Sequence, residues 1–268
     1  MIDLHCHVLP SIDDGPDTIE GSLAIVRTAA STGTHTIVAT PHVNRLYRND
    51  AATIAGLVDE LGRQVTNGGL AVEIRTGAEI ALTRLDGIRP DELRRLGLGG
   101  GPWLLVEPPF TPVATSLDAI LLELQRDGHR VVLAHPERCM AFHRNPEMLR
   151  TLVREGFLTS VTAGSLIGQF GEEVRAFALE MAHAGLLHNV SSDAHDQIQR
   201  PPGIAAQLRQ AGLEPLTEWL TQIVPAAILS GEEHIPPRPS ITVSPSTPRR
   251  RRRRRFLLGL NGRSEGSH

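Results

Sequence analysis

Two short motifs in this sequence place side chains that can bind metal ions two residues apart. His5 and His7 flank a cysteine near the N-terminus, and Asp193 and His195 flank an alanine far along the chain. On a β-strand, residues i and i+2 project from the same face, so each pair can reach one ion. A single His-x-His motif is weak evidence, because such a pair can equally end a strand as hydrogen-bonded polar groups.

Further histidines and glutamates follow other apolar segments of the chain, at His42, Glu79, Glu107 and His135. A buried cluster of carboxylates and imidazoles is unfavourable unless a cation compensates it. Mixed imidazole and carboxylate ligands favour Mn, Zn or Fe over Ca or Mg, and no cysteine is placed for a thiolate zinc site. Neighbouring cations of this kind suit phosphoester hydrolysis, which predicts a metal-dependent phosphoesterase.

Two arginines lie close behind these residues. Arg138 follows His135 by three residues, and Arg200 follows His195 by five. A guanidinium group binds phosphate with two parallel hydrogen bonds, so both are candidates for phosphate contact, although a surface arginine in a loop is an equal alternative. A cysteine-based phosphatase is disfavoured, because a thiolate mechanism needs a Cys-x5-Arg loop and the spacing from Cys139 to Arg144 is one residue short.

Seven short apolar runs alternate with helical patterns along residues 1–235, which predicts repeated β/α units. The predicted strands are 2–7, 36–40, 72–76, 103–107, 130–134, 158–162 and 188–192. Nearly every candidate ligand stands at the carboxyl end of one of them. We therefore predict an α/β fold, a distorted (β/α)7 TIM-like barrel, since the strand ends of such a barrel converge on one face where active sites form.

Composition divides the chain into a domain at 1–235 and a tail at 236–268. The tail is dense in Pro, Ser and Arg and without periodicity, so it is predicted to be disordered. It carries nine arginines against one acid, Glu265, which gives it a net charge of +8 and leaves −11 on residues 1–235. The consecutive arginines 249–255 suggest contact with an anionic membrane or with nucleic acid.

Location is predicted from what the sequence contains. No apolar run approaches the roughly 20 residues that span a bilayer, and no secretory signal is visible near Met1. Cys6 and Cys139 are too few for a disulfide framework, which fits a reducing compartment. We expect a cytoplasmic protein. The tail would attach it peripherally at the inner membrane face, and a solubilising or vestigial extension without a role is an equal alternative.

The motifs HCHVLP, IDDGP, TPH, GAEI, HPER, TAGS, SSDAH and RPPG occur in this order between Met1 and about residue 230. Together they resemble the PHP (polymerase and histidinol phosphatase) superfamily. More narrowly, they resemble the bacterial manganese-dependent protein-tyrosine phosphatases that act on capsule and exopolysaccharide tyrosine kinases.

The resemblance implies a PHP fold with three divalent ions, manganese by preference and Fe or Zn as alternatives. One ion would be held by His5, His7, Glu79 and Asp193; a second by Glu79, Glu107 and His135; and a third by Asp14, His42 and His195. Arg138 and Arg200 take the phosphate-contact positions. Asp14 enters only through the resemblance, since DDGP otherwise predicts a turn in which Asp13 or Asp14 caps the next helix.

The implied substrate is a phosphotyrosine protein, with a membrane tyrosine autokinase as the expected partner. Three other functions stay open on the sequence alone. A small-molecule phosphatase of the histidinol-phosphate type would use the same site. A PHP-type nuclease could grip DNA with the tail, although a body of net charge −11 repels a nucleic-acid backbone. A non-catalytic adaptor ranks last, because every ligand position is filled.

Overall fold

Parallel β-strands form the centre of the computed structural model, which describes residues 1–110 and 117–240. The strands are β1 (Ile2–Cys6), β2 (Thr36–Ala39), β3 (His42–Val43), β4 (Glu73–Thr76), β5 (Glu79–Ala81), β6 (Trp103–Glu107), β7 (Arg130–Ala134), β8 (Leu158–Thr162) and β9 (Asn189–Ser191). They make a three-stranded sheet in the order β1-β2-β4 and a six-stranded sheet in the order β3-β5-β6-β7-β8-β9, and all their pairings are parallel. The α/β class with parallel sheets that the sequence predicts is confirmed.

Two of the predicted strands are followed by a second short strand. The chain runs from β2 through Thr40 and Pro41 into β3, and from β4 through Gly77 and Ala78 into β5. Both connections lead from the three-stranded sheet to the six-stranded sheet. The additional strands begin at His42 and Glu79, two of the candidate ligands. The chain therefore changes direction between β2 and β3 and between β4 and β5, directly before a candidate ligand.

Hydrogen bonds also join the first strand to the segment after the last one. The Asp193 N–H donates to the His5 carbonyl at 2.8 Å, and the His7 N–H donates to the Ala194 carbonyl at 2.9 Å. Asp3 accepts hydrogen bonds from the Ser192 hydroxyl at 2.5 Å and the Ser192 N–H at 3.0 Å. Residues 3–7 and 192–195 are thereby held side by side.

Helices alternate with the strands along the chain, and several of them pack against the strands. They are α1 (Ile19–Ser31), α2 (Ala51–Asn67), α3 (Pro90–Arg95), α4 (Leu117–Arg126), α5 (Met140–Arg144), α6 (Pro146–Arg154), α7 (Glu172–His183), α8 (Ala205–Gln210) and α9 (Val224–Leu229), with a π-helical turn at Trp219–Ile223. Buried strand residues such as Leu104, Leu105 and Val106 are apolar on both faces, as expected where helices and the opposite strands enclose a parallel sheet.

The start of α1 differs from the sequence prediction. Thr18 is the N-cap residue, and its side chain accepts a hydrogen bond from the Gly21 N–H at 3.2 Å. The expectation that Asp13 or Asp14 caps this helix is wrong, because both lie several residues before it. Gly33 follows the end of the helix with φ 91°, a left-handed conformation that glycine adopts without strain.

The first residues of the predicted tail pack against the domain. The Trp219 indole N–H donates to the Pro236 carbonyl at 3.0 Å, and Arg238 donates to the Ala182 carbonyl at 2.8 Å. The arginines at 249–255 lie outside the described residues, so their predicted disorder stays a prediction. Within the described part of the chain, no helix is long and apolar enough to cross a membrane.

Gly77 is the position where the crossing between the two sheets depends on the absence of a side chain. A Cβ there would lie 2.8 Å from Val38 Cγ1 and 3.3 Å from both Leu98 Cδ2 and Thr40 Cγ2. We expect Gly77→Ala to lower the free energy of unfolding by about 1 to 3 kcal/mol through overpacking. Gly56 on α2 is the control, because a Cβ there meets nothing within 4 Å. We expect Gly56→Ala to raise the free energy of unfolding by about 0.5 to 1 kcal/mol. Urea denaturation measures both, and equal effects of the two substitutions would contradict this account.

Candidate metal centre

All nine predicted ligand residues come together in one cluster, in or after β1, β2, β4, β6, β7 and β9. Their ligand atoms form four overlapping groups, within each of which the atoms lie within 4.8 Å of one another. The groups are His5, His7 and Asp193; His5, Glu79 and His135; His42, Glu79 and Glu107; and His7, Asp14, His42 and His195. The shared members make one continuous cluster rather than four separate sites.

Glu79 lies at the centre of the cluster and is 1% exposed. Its Oε1 is 2.7 Å from His135 Nε2. Its Oε2 is 3.4 Å from the Nε2 atoms of both His5 and His7 and 2.9 Å from His42 Nδ1. This Oε2 makes no hydrogen bond, although it is fully buried.

The surroundings of Glu79 decide its charge. Burial alone raises the pKa of a carboxyl group, but the neighbouring His5 and His135 hold the pKa of Glu79 well below its ordinary value. A buried, charged oxygen without a hydrogen-bond donor, surrounded by three imidazole nitrogens, is unfavourable in a site without a cation. The donor set and this orphaned oxygen therefore fit divalent cations bound among the histidines.

A second carboxylate stands beside Glu79. Glu107 ends β6, and its Oε1 is 3.8 Å from His135 Nε2. Burial first, and then the charge of Glu79, raise the pKa of Glu107 to about 7. Two carboxylates that repel one another in this way are compensated when a cation lies between them.

Asp14 marks the open side of the cluster, because its side chain is 47% exposed. Its Oδ1 is 3.4 Å from His42 Nε2 and 3.3 Å from His195 Nε2. The hydrogen bond with His195 is the largest cause of a pKa for Asp14 well below the ordinary value. This group is therefore a carboxylate with two imidazoles, accessible from solvent.

Asp13 has a role that the sequence interpretation missed. Its Oδ2 is 2.7 Å from His7 Nδ1 and also accepts a hydrogen bond from the His42 N–H at 3.0 Å, while its Oδ1 accepts one from the Gly15 N–H at 3.0 Å. With the Nδ1–H tautomer of His7 assigned from this contact, the ring presents Nε2 to Glu79 and Asp193. Although burial opposes it, the hydrogen bond to Asp13 and the negative charges of Asp13 and Glu79 raise the pKa of His7 to about 10. The adjacent pair Asp13-Asp14 was the available signal, one carboxylate for orientation and one for the site itself.

Two candidate ligands have a strained backbone. His135 has φ 30° and Asp193 has φ 50°, which is the left-handed region that residues other than glycine rarely adopt. Each follows the end of a strand, β7 and β9 respectively. Such strain costs on the order of 1 to 3 kcal/mol and concentrates at functional sites.

The two predicted arginines meet at the edge of the cluster. Arg138 Nη1 is 3.1 Å and Arg200 Nη2 is 2.5 Å from Asp193 Oδ2. The guanidinium of Arg138 also lies between the rings of Phe110 and Phe170, at 5.0 Å and 4.5 Å from their centroids. These contacts hold a positive charge beside the candidate ligands.

Glu137, which precedes Arg138 in the chain, is a buried acid that the sequence interpretation did not single out. It is fully buried, and its Oε1 accepts hydrogen bonds from the Thr162 N–H at 3.0 Å and the Ser165 hydroxyl at 2.6 Å. Burial raises the pKa of Glu137 to about 7. It joins the HPER segment to the TAGS segment, which places these two motifs side by side.

Neither cysteine is arranged as a nucleophile. Cys6 and Cys139 are both buried, and burial raises the pKa of each thiol. A catalytic thiolate requires a lowered pKa, so the thiolate mechanism that the sequence disfavoured has no support in the site.

A parallel α/β fold with a buried histidine and carboxylate cluster at the strand ends is the architecture of a metal-dependent hydrolase. The family model for capsular polysaccharide synthesis, CpsB/CapC, matches residues 1–214, and the chain belongs to this family. The resemblance found in the sequence motifs is thereby confirmed.

Curated relatives match over most of their length. The chain is 37% identical to the tyrosine-protein phosphatase YwqE of Bacillus subtilis (strain 168), over 73% of this chain and 78% of that protein. It is 34% identical to the putative tyrosine-protein phosphatase CapC of Staphylococcus aureus, over 75% and 79%. It is 30% identical to the tyrosine-protein phosphatase CpsB of Streptococcus pneumoniae, over 75% and 86%.

Solved structures match as well. One described among the crystal structures of YwqE from Bacillus subtilis and CpsB from Streptococcus pneumoniae, "unique metal-dependent tyrosine phosphatases", superposes with a TM-score of 0.77 at 32% identity and covers 90% of this chain and all of that one. A β-aspartyl dipeptidase from Fervidobacterium islandicum AW-1 matches with a TM-score of 0.54 at 14% identity, over 88% of this chain and 74% of that one, and shares the fold alone.

Asp13 orients His7 without belonging to any of the four groups, which makes its role testable. We expect Asp13→Asn to weaken binding of Mn²⁺ by about 10- to 100-fold, because the charge that fixes the imidazole is lost while the shape is kept. Titration of metal-free protein with Mn²⁺ measures the affinity. Asp59→Asn, at an exposed position on α2, is the matched control and should bind like the unchanged protein. Normal affinity of the Asp13 variant would show that this contact does not support metal binding.

Proposed function

We propose that this chain is a metal-dependent phosphatase that hydrolyses phosphotyrosine on proteins. Its expected target is a tyrosine autokinase that controls capsule or exopolysaccharide synthesis. The observation that carries the proposal is the buried Glu79 Oε2, which has no hydrogen-bond donor and faces three histidines beside two arginines. The named activities of YwqE, CapC and CpsB support it, since the chain belongs to their family.

The proposed ligand sets divide the nine residues of the cluster among three ions, as the family resemblance implies. His5, His7, Glu79 and Asp193 would hold one ion; Glu79, Glu107 and His135 a second; and Asp14, His42 and His195 a third. Manganese is the proposed ion, because imidazole and carboxylate ligands suit it, and Fe or Zn would fit the same donors. When bound, such ions supply Lewis-acid activation of water and of the phosphoryl oxygens.

The chain's own residues would position the phosphate. Arg138 and Arg200 both donate to Asp193 Oδ2, and their remaining N–H groups can reach phosphoryl oxygens brought to the same edge. Phe110 and Phe170 hold the plane of the Arg138 guanidinium, so little rotamer freedom is lost when it binds. The leaving tyrosinate, with an ordinary pKa near ~10, departs more easily than a serine alkoxide, which favours an aryl ester as substrate.

The fold proposed for this function is one distorted seven-stranded barrel. Its support is the hydrogen bonding of residues 5–7 with residues 193–194 and the continuation of β2 into β3 and of β4 into β5. If β2 with β3 and β4 with β5 are each counted as one strand, the seven strands predicted from the sequence are the seven strands of the barrel. Closing the barrel between β1 and β9 would bring the pair His5 and His7 next to the pair Asp193 and His195.

The first measurement of this function is hydrolysis of a phosphotyrosine peptide by the full chain. We expect activity that disappears with a chelator and returns best with Mn²⁺, and that is insensitive to thiol alkylation because both cysteines are buried. Arg200→Ala should keep the metal content while kcat/KM falls about 10- to 100-fold, as for one charge-assisted contact.

Histidinol phosphate and single-stranded DNA are the competing substrates for the same preparation. Faster turnover of either would replace the phosphotyrosine proposal by the corresponding alternative. Arg27→Ala, an exposed arginine on α1, is the matched control for Arg200→Ala and should leave kcat/KM unchanged.

We also propose that the consecutive arginines 249–255 bring the enzyme to an anionic membrane surface, where a membrane kinase would be its partner. A chain ended after Ser240 keeps the contacts of Pro236 and Arg238 and loses these arginines. We expect it to retain activity on a peptide in solution and to lose salt-sensitive binding to vesicles that contain phosphatidylserine. Equal vesicle binding by both chains, or none by either, would contradict the proposal, and tight binding of the full chain to DNA would favour the nuclease alternative.

A further inference from the structure

The exposed large hydrophobic residues of residues 1–110 and 117–240 all follow closely after candidate metal ligands in the sequence. Each lies three to five residues after a candidate metal ligand, in the segments that follow β3, β6, β7 and β9. They are Leu46 (78% exposed), Phe110 (45%), Met140 (39%) and Ile198 (87%). A concentration of apolar side chains around one opening is typical of a surface that binds another molecule.

Leu46 stands at the tip of an ordered turn. The Asn44 side-chain oxygen accepts hydrogen bonds from the N–H groups of Leu46 and Tyr47, both at 2.8 Å, and the Asn44 N–H donates to the Tyr47 carbonyl at 2.8 Å. The Tyr47 ring lies nearly parallel to that of His42, with centroids 5.9 Å apart. The turn is therefore tied to the candidate metal centre, while Leu46 itself buries almost nothing.

Ile198 lies in a turn with a similar hydrogen-bond pattern. The Asp196 carboxylate accepts hydrogen bonds from the N–H groups of Ile198 and Gln199, both at 2.5 Å, and from that of Arg200 at 3.4 Å. The same loop thus carries both the exposed Ile198 and the proposed phosphate-binding Arg200. The half-exposed Asp14, between His42 and His195, lies in the opening that these two loops flank.

Charge accompanies the apolar side chains. Arg45 and Arg48 flank the tip of the first turn, are exposed, and their guanidinium groups make no ion pair or hydrogen bond with the described residues. Other exposed arginines, such as Arg63 and Arg89, pair with acids on their own segments. On a domain of net charge −11, two unpaired arginines beside an apolar tip complement an acidic and apolar partner.

We propose that the turn 44–48 and the loop 196–199 form a docking surface for the polypeptide on either side of the phosphotyrosine. This surface selects substrates with apolar and acidic residues next to the phosphorylated one. The inference rests on the proposed function and adds a substrate class to it. A small phosphate ester would contact only the cluster and its arginines, whereas each flanking residue of an extended chain adds about 3.3 to 3.6 Å of reach and so arrives at the two loops.

The test compares a peptide with a small ester on the same variants. The substrates are a phosphotyrosine peptide with leucine and glutamate on both sides and p-nitrophenyl phosphate. For Leu46→Ala/Ile198→Ala we expect kcat/KM on the peptide to fall by about tenfold, mainly through KM, because two apolar contacts are lost. Activity on the small ester should change less than twofold.

Charge reversal provides the second arm. Arg45→Glu/Arg48→Glu should weaken the peptide with glutamate flanks and improve one with lysine flanks, whereas Arg27→Glu, an exposed control on α1, should alter neither. Equal loss on the peptide and the small ester, or no loss on the peptide, would overturn the docking surface.

A binding measurement separates this inference from the proposed function. The same peptide with a non-hydrolysable phosphonate in place of the phosphate is titrated against Mn²⁺-loaded chain by fluorescence anisotropy. We expect the two double variants to bind about tenfold more weakly than the unchanged chain. Peptide hydrolysis absent from the unchanged chain would reject the phosphatase proposal, while unaltered phosphonate-peptide affinity in both variants, or no binding by the unchanged chain, would reject the docking surface.

Discussion

The burial of one carboxylate among histidines constrains the whole structure. Glu79 is enclosed, charged, and within 3.4 Å of nitrogens from three other segments of the chain. An ionised group in the interior is stable only when opposite charge or hydrogen-bond donors surround it. Each part of the structure near the strand ends either supplies such a neighbour to Glu79 or holds one in place.

The breaks in the strands are a consequence of this demand. A regular strand would alternate its side chains between two faces, and a ligand at the wrong register would point away from the cluster. The chain instead leaves β2 at Pro41 and β4 at Gly77 and begins β3 and β5 with His42 and Glu79. His135 and Asp193, which follow β7 and β9, have a left-handed backbone that changes the direction of the chain in the same way. Regular strand conformation therefore ends where the candidate ligands come together.

A ring of supporting contacts surrounds the candidate ligands. Asp13 orients His7, Glu137 connects two loops, and Asp3 holds Ser192 next to the first strand. None of these three acids belongs to a proposed ligand set, yet the side chain of each is buried and hydrogen-bonded. Specificity would come from a further layer, the exposed loops that carry Leu46 and Ile198, which contribute little to the core. On the proposed docking surface, the recognition residues would lie on loops that follow the strand ends carrying the candidate ligands, as is usual for a site built on β/α loops.

The sequence by itself indicated the class of fold and the family, because strand periodicity and motif spacing are local properties that a chain displays without being folded. It also predicted eight candidate ligands from their positions after apolar runs, while Asp14 entered only through the family resemblance. It could predict that His5 and His7 share a face, since two residues of one strand are related by the period of that strand. Tertiary structure decided which residues from different strands meet, how Glu79 is shared among four histidines, and that Asp13 orients His7 while Thr18 caps α1. Those contacts join residues as far as 189 positions apart, as where Asp3 meets Ser192, and depend on register and loop conformation, which the separate segments do not encode. The same reason explains the arginines: spacing made Arg138 and Arg200 candidates, but only the folded chain brings both to one oxygen of Asp193.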